Sequence, residues 1–339
     1  MFEALPLAAN FGAFAAAAAA VWFAGTRIAR YADAIAESTG IGRELLGIVL
    51  LGGVTSLPEL AVASTASLAG HPGLSVNDLL GSAAINVLIL ALADAALGRD
   101  ALSSVLASPG VLLQGVLGII ALAMVVGATV TIDVPLLGAS AWTWALLAFY
   151  GVAIHVVASS RSGKAWRPAG REPPRPAKAR KPGPLRRLLL STAAAGLAVL
   201  VAGFVLAKTG ETIAAQTGLG TNFVGVVLLA AATSLPEAST VLGAVRLRRY
   251  EMAVADVFGT NLFNVTILFL VDLLYDGPPV LAEVGAFAGF GALLAIVLTA
   301  LYLAGMIERR DHSVLRMGYD SLAAVGVYAG GLGVLYQLR

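Results

Sequence analysis

Apolar runs of eighteen or more residues recur along the chain, separated by short polar or charged stretches. A helix of that length spans a bilayer core. The runs predict ten membrane-spanning helices, at about 8–26, 42–69, 74–97, 105–131, 135–158, 187–208, 221–245, 252–274, 280–306 and 319–337. The third and eighth begin on polar residues (Asn77 and Asp78; Asp256). Two other spans carry polar groups inside them. Thr55-Ser56-Leu57-Pro58-Glu59 interrupts the second, and Thr233-Ser234-Leu235-Pro236-Glu237 interrupts the seventh. A charge at the centre of a membrane helix costs about 2.5–3.5 kcal/mol on insertion scales, so each Glu marks a functional position.

The two pentapeptides belong to a longer register. A shift of 178 positions sets Thr55–Glu59 on Thr233–Glu237 without a gap. The same shift sets Asp78 on Asp256, Gly81 on Gly259, Ser82 on Thr260, Asn86 on Asn264 and Asp94 on Asp272. Each half holds five spans, an odd number, so the halves are expected to insert with opposite orientation. The predicted fold is an all-α polytopic membrane protein of ten helices in two inverted-topology five-helix repeats. That is the plan of many secondary transporters, which bind substrate near the midplane where interrupted helices meet. The expected domains are residues 1–158, a linker at 159–185, and residues 186–339.

Composition agrees with a membrane protein. Of 339 residues, 58% are hydrophobic and 12% charged, against about 25% charged in soluble domains. The first residues do not read as a cleaved signal: Glu3 is the only early charge, and Arg27 and Arg30 follow the apolar run. With no cysteine in the chain, a disulfide, a thiolate nucleophile and a Cys-ligated metal are all excluded.

The net charge of +2 says little, but the placement of Lys and Arg says more. If the N-terminus faces outside, the inner loops hold Arg27, Arg30, Arg43, Arg99, Arg246, Arg248, Arg249, Arg309, Arg310 and Arg316, and the linker region to Arg187 holds ten more. Only Lys208 and Arg339 fall outside. This positive-inside pattern predicts an even number of spans, both termini outside and a cytoplasmic linker. The linker is rich in Pro, Arg and Lys, lacks the apolar surface to fold, and reads as a tether that can lie on anionic lipid.

The pentapeptides point to cation chemistry. Thr55 and Ser56 share a helix face with Glu59. Pro58 has no N–H and frees the carbonyl of Val54, as Pro236 frees that of Ala232. Such carbonyls are tolerated at bilayer depth only against protein or a hydrated cavity. Ser82 and Asn86 share a face, as do Thr260 and Asn264, and Gly81 and Gly259 allow close helix approach. The candidate site is therefore Glu59, Glu237, Ser56, Ser234, Ser82, Thr260, Asn86 and Asn264, with the carbonyls near Thr55 and Thr233. Every ligand is oxygen, which suits hard cations such as Ca²⁺ and Na⁺ rather than zinc or copper. Two carboxylates neutralise one Ca²⁺, or hold Na⁺ with neutral oxygens, or bind protons. That interchange is what an antiporter needs.

At these residues the chain resembles the cation/calcium exchanger superfamily, and within it the sodium/calcium exchanger-like membrane proteins. That family carries two α-repeats, each with T-S-L-P-E followed by a Gly-[Ser/Thr]-Asn motif; here the repeats cover about 50–97 and 228–274. The resemblance implies Ca²⁺ ligation by Glu59 and Glu237 with the Thr55 and Thr233 carbonyls. It implies Na⁺ sites at Ser56, Ser234, Ser82 and Thr260, with carbonyls around Gly52 and Ala230. It also implies that the first and sixth spans slide past the other eight, and here those carry the small-residue runs Ala15–Ala20 and Ser191–Gly196. Two positions depart from the pattern. Ala83 stands where the family has Asn, which weakens helix-to-helix hydrogen bonding, and Asn264 stands where many relatives have Asp. The expected site thus has two titratable groups, Glu59 and Glu237.

Other polar residues receive structural expectations. Asp78 and Asp256 are expected to cap their helices. Asp94 and Asp272, near the membrane surfaces, are expected to be structural. His71 and His155 have no Ser or Asp at useful spacing. The expected activity is Ca²⁺/Na⁺ exchange in the cell membrane, not enzymatic, with no cofactor. Its partners are the two ions and the lipid bilayer, with no nucleic acid and no obligate protein. H⁺-coupled or K⁺-dependent exchange on the same fold, and a passive cation channel, are the alternatives. A proton-coupled relative typically shows a Gly-Asn-x-x-Glu motif, which is missing here.

Overall fold

The computed structural model describes residues 2–39, 52–97, 109–159, 184–246, 248–308, 313–314 and 317–338. The linker interior (160–183), the first part of the second span (42–51), and Arg43, Arg99, Arg309, Arg310 and Arg316 lie outside the described residues.

In the first half the helices are α1 (Leu7–Thr39), α2 (Gly52–Thr55), α3 (Leu57–Leu68), α4 (Pro72–Leu97) and α5 (Pro109–Val130). A hairpin of β1 (Pro135–Leu136) and β2 (Ala139–Ser140) then leads into α6 (Ala141–Ser159). The second half opens with α7 (Leu185–Thr217), α8 (Thr221–Val224), a π-helical turn at Gly225–Leu229 and α9 (Ala230–Thr233). It continues with α10 (Leu235–Arg246), α11 (Tyr250–Leu274), α12 (Val280–Glu283) and α13 (Gly285–Glu308). A second hairpin, β3 (Ser313–Val314) and β4 (Met317–Gly318), leads into α14 (Tyr319–Leu338). Among the described residues, nine helical stretches are long and apolar enough to cross a membrane. The remaining expected span ends in α2 and α3, and its start is outside the described residues.

The 178-residue register runs through the whole architecture, well beyond the polar landmarks of 55–94. Leu7 and Thr39, the ends of α1, match Leu185 and Thr217, the ends of α7. The bounds of α2 and α3 match those of α9 and α10, and the β1–β2 hairpin matches β3–β4 residue for residue. Contacts repeat as well. Asp272 accepts hydrogen bonds from the Ser140 amide and from Thr143 Oγ1 (2.9 Å). Asp94 accepts them from the equivalent positions, the Gly318 amide (2.8 Å) and Ser321 Oγ (2.7 Å). Each aspartate thereby satisfies the first turn of a helix in the opposite half, which agrees with the structural role expected of both.

This arrangement sets a stability expectation. Asp272 also accepts from the Val280 amide at 2.9 Å. Asp272→Ala strands the two buried amides of Ser140 and Val280 and leaves the Thr143 hydroxyl only the Ser140 carbonyl (3.1 Å), and hydrogen bonds to a charged group contribute about 1.5–3 kcal/mol each. The variant is expected to melt several degrees below the parent in detergent, followed by tryptophan fluorescence, while Leu273→Ala on the exposed flank leaves the transition in place.

Several spans differ from the sequence reading. The first and sixth run longer than expected, so Arg27 and Arg30 lie within α1 rather than in a loop, and Lys208 lies within α7. At 1.5 Å per residue a 33-residue helix is about 50 Å long, more than the roughly 30 Å hydrocarbon core. Hydropathy registers only the lipid-embedded part of such a helix. The fifth span starts at 141 because 135–140 forms the hairpin. The third and eighth start two residues earlier than expected, at Pro72 and Tyr250.

Burial divides the helices by place. The apolar stretch of α4 is 83% buried and that of α11 72%, against 28% for α1 and α7. Polar residues on α4 and α11 therefore face protein, not lipid. The long helices α1 and α7 lie against each other, and each also packs on the opposite half: α1 on α10, α7 on α3. Glycines set the closeness of those crossings. A Cβ at Gly25 would stand 2.6 Å from Pro236 Cα, and one at Gly203 would stand 2.8 Å from Ala61 Cβ and 3.0 Å from the Pro58 carbonyl oxygen.

Candidate functional site: a buried oxygen cluster across the two halves

Each pentapeptide is a break between two helices. Ser56 (φ −77, ψ 7) separates α2 from α3, and Ser234 (φ −77, ψ 4) separates α9 from α10. The matching torsions have a common cause. Proline at the second position of α3 and of α10 cannot donate to the preceding turn, so the ladder is interrupted one turn ahead of the Glu. The helices resume with Leu60 N bonded to Ser56 O (2.9 Å) and Ala238 N to Ser234 O (3.0 Å). Just before the second break the backbone widens into the π turn at 225–229, against which Gly81 is seated: a Cβ there would meet the Val226 carbonyl at 2.5 Å. Such turns recur at functional sites.

All ten residues named from the sequence are buried. Glu59, Glu237, Thr55, Thr233, Ser56, Ser82, Asn86 and Thr260 have no exposed surface, and Ser234 and Asn264 have 1%. They meet crosswise. Thr55 Oγ1 lies 3.3 Å from Thr260 Oγ1, and Ser82 Oγ lies 3.1 Å from Thr233 Oγ1, so each break is tied to the core helix of the other half. Ser82 stands beside the Glu59 carboxylate and Thr55 beside that of Glu237. Among the described residues, neither Glu completes a hydrogen bond through either oxygen, and the hydroxyls of Ser56 and Ser234 and both amide atoms of Asn264 also lack partners. A buried polar group without a partner is costly. Here they accumulate in one place.

Asn86 plays two parts. Its Nδ2 donates to Asn261 Oδ1 (2.9 Å), so it ties helices together, while its Oδ1 is left without a partner. Asn261 also donates to the Ala83 carbonyl (3.0 Å). It is the register mate of Ala83, so one asparagine bridges α4 and α11 where the family pattern has two. The departure at Ala83 is visible in the sequence, but the bridging role of Asn261 is not.

The expectation for Asp78 and Asp256 is overturned. With α4 starting at Pro72 and α11 at Tyr250, both lie in the second turn, beyond the end where a carboxylate caps free amides. Asp78 is fully buried and accepts a hydrogen bond from Thr233 Oγ1 (3.1 Å), and Asp256, 1% exposed, accepts one from Thr240 Oγ1. The charged groups acting on Glu59 are Glu237 and Asp78, and those acting on Glu237 are Asp256 and Asp78. Four carboxyl groups are therefore buried along this stretch, although among the described residues no three of them converge on one point. Spacing carried the signal: Asp78, Ser82 and Asn86 recur every four residues on one face of α4, as do Asp256, Thr260 and Asn264 on α11.

The sequence family described as sodium/calcium exchanger protein matches residues 9–94 and 187–336, more than half of the chain. The chain belongs to that family. Among its relatives, CaxA of Alkalimonas amylolytica, named as an antiporter, is 25% identical over 311 residues, covering 88% of this chain and 92% of that one. The inner membrane protein YrbG of Escherichia coli (strain K12) is 26% identical over 248 residues, covering 73% and 74%. Among solved structures, the sodium-calcium exchanger NCX_Mj soaked with Na⁺ and Sr²⁺ superposes with a TM-score of 0.65 at 18% identity, covering 97% of this chain and 99% of that one. The same exchanger soaked with zero Na⁺ and Ca²⁺ gives 0.64 at 17% identity. The chain is a multi-pass membrane protein with the all-helical exchanger fold.

Proposed function

We propose that this exchanger is a secondary-active antiporter that moves Ca²⁺ against Na⁺ by alternating access. The observation that carries the reading is the set of buried, unpartnered oxygens of Glu59, Glu237, Ser56, Ser234 and Asn264, gathered where the broken spans meet α4 and α11. An oxygen-only shell with several carboxylates suits Ca²⁺, which takes 6–8 oxygen ligands, and the hydroxyls suit Na⁺. In this reading Glu59 and Glu237 bind Ca²⁺ with the Thr55 and Thr233 carbonyls, and Ser56, Ser234, Ser82 and Thr260 form Na⁺ sites; Asn86 and Asn264 line the cavity. The family membership and the likeness to a sodium-calcium exchanger structure support it. The repeated architecture supports opposite insertion of the halves in the cell membrane, with both termini outside and the basic linker in the cytoplasm.

Proteoliposomes loaded with Na⁺ and diluted into Na⁺-free medium test the reading. They are expected to accumulate ⁴⁵Ca²⁺, and collapsing the Na⁺ gradient is expected to stop it. Equal uptake driven by a pH gradient with sodium absent would assign the coupling to protons. A requirement for K⁺ alongside Na⁺ would assign it to both. Uptake with no counter-ion gradient would indicate a channel.

A further inference from the structure

We propose that Asp78 and Asp256 are cation ligands in their own right, one at each end of the ion path, each serving one face of the membrane. The proposal rests on the exchange reading above and adds two ligands to it.

The placement of the two aspartates carries the argument. Along the broken span, Asp78 is level with Thr233, before the break, and Asp256 is level with Thr240, beyond it. Those threonines are seven residues apart, about 10 Å along a helix. Glu237 lies between them, and both aspartates act on its charge. The acids are therefore strung along the span instead of gathered at one point, and no three of them among the described residues converge as a single metal centre. On their own helices, Asp78 and Asp256 sit one turn ahead of Ser82 and Thr260 on the faces that line the site.

Each aspartate is also prepared as a ligand. One oxygen is held by a threonine hydroxyl, which fixes the carboxylate. The other, Asp78 Oδ2 or Asp256 Oδ1, is buried without a partner. Ser234, next to Thr233 in the chain, is also buried, with its Oγ unpartnered among the described residues. The charged groups that act on Glu59 and Glu237 are themselves acids, Asp78 and Asp256 among them, so the partner this row of carboxylates calls for is a cation. With Asn at both 86 and 264, the two aspartates also supply charge that those positions lack. In the proposed topology Asp78 lies toward the outside and Asp256 toward the cytoplasm, so each is the first carboxylate an ion meets from its own side.

The test is side-resolved transport. Ca²⁺ flux is measured from each face, in right-side-out and inverted vesicles, for Asp78→Asn and Asp256→Asn. Asn keeps an acceptor for the threonine while removing the charge, so a purely structural role survives the change. Asp78→Asn is expected to raise KM for external Ca²⁺ about tenfold and leave the cytoplasmic KM within about twofold, and Asp256→Asn the reverse. Unchanged KM on both faces, or equal shifts on both, would overturn the proposal. If Asp78→Asn fails to fold, as read by gel filtration, the Asp256→Asn arm decides by the same criteria. Failure of the parent protein to show sodium-driven uptake would strike the exchange reading. Parent uptake with no sided shift in the variants would strike this proposal alone.

Discussion

Glu59→Gln and Glu237→Gln are each expected to abolish sodium-driven Ca²⁺ uptake. Gln has nearly the shape of Glu and can hydrogen-bond, so the fold is expected to survive, as a symmetric gel-filtration peak in detergent would show. What it loses is charge. A unit charge about 4 Å from a divalent ion contributes about 8 kcal/mol at an effective dielectric of 20, before desolvation is subtracted. Even a third of that weakens binding about a hundredfold. Both glutamates are fully buried, with no exposed surface through which water could stand in. Either single variant should therefore bring uptake at micromolar Ca²⁺ to background. Uptake at the parent rate by either variant would remove that Glu from the ligand set.

Gly25→Ala and Gly203→Ala are expected to slow transport strongly while leaving ion binding intact. The added carbon would stand 2.6 Å from Pro236 Cα in one case and 2.8 Å from Ala61 Cβ in the other. Backbone and proline ring cannot turn aside, so the long helix must lift off the break. Overpacking of this kind costs about 1–3 kcal/mol. If α1 and α7 move over these prolines during transport, that cost falls on the crossing and lowers turnover by about ten- to a hundredfold. Gly12→Ala is the control, because nothing lies within 4 Å of its added carbon. ⁴⁵Ca²⁺ binding to purified protein should stay close to the parent value. Normal turnover in both variants would show that these crossings are not the moving surface.

Much of this was legible in the chain because a membrane simplifies the code. Apolar length located the spans, and a paired interruption at fixed spacing located the breaks. Helix ends were harder to read, because hydropathy follows lipid contact rather than hydrogen bonding. That error had a functional cost. A start of α4 at 74 makes Asp78 resemble a cap; two more residues of helix move it off the helix end, where it is buried against Thr233. Asn261 was missed for another reason. Its Nδ2 donates to a backbone carbonyl, at Ala83, and no side-chain pattern at 83 announces that bond. The crossings of Gly25 and Gly203 depend on which half lies over which, and that information exists only once the helices are assembled.

The crosswise pairing constrains how such a chain can change over generations. Thr55 meets Thr260, Ser82 meets Thr233, and Gly25 crosses Pro236. Neither half owns a complete site, so mutations accumulate under joint selection: a change in one copy of the duplicated sequence is tolerated or rejected according to its counterpart in the other. The two copies are free to drift apart on their lipid-facing surfaces but not along this seam. That explains why 178 residues of separation have preserved the polar spacing while most of the surrounding sequence has diverged.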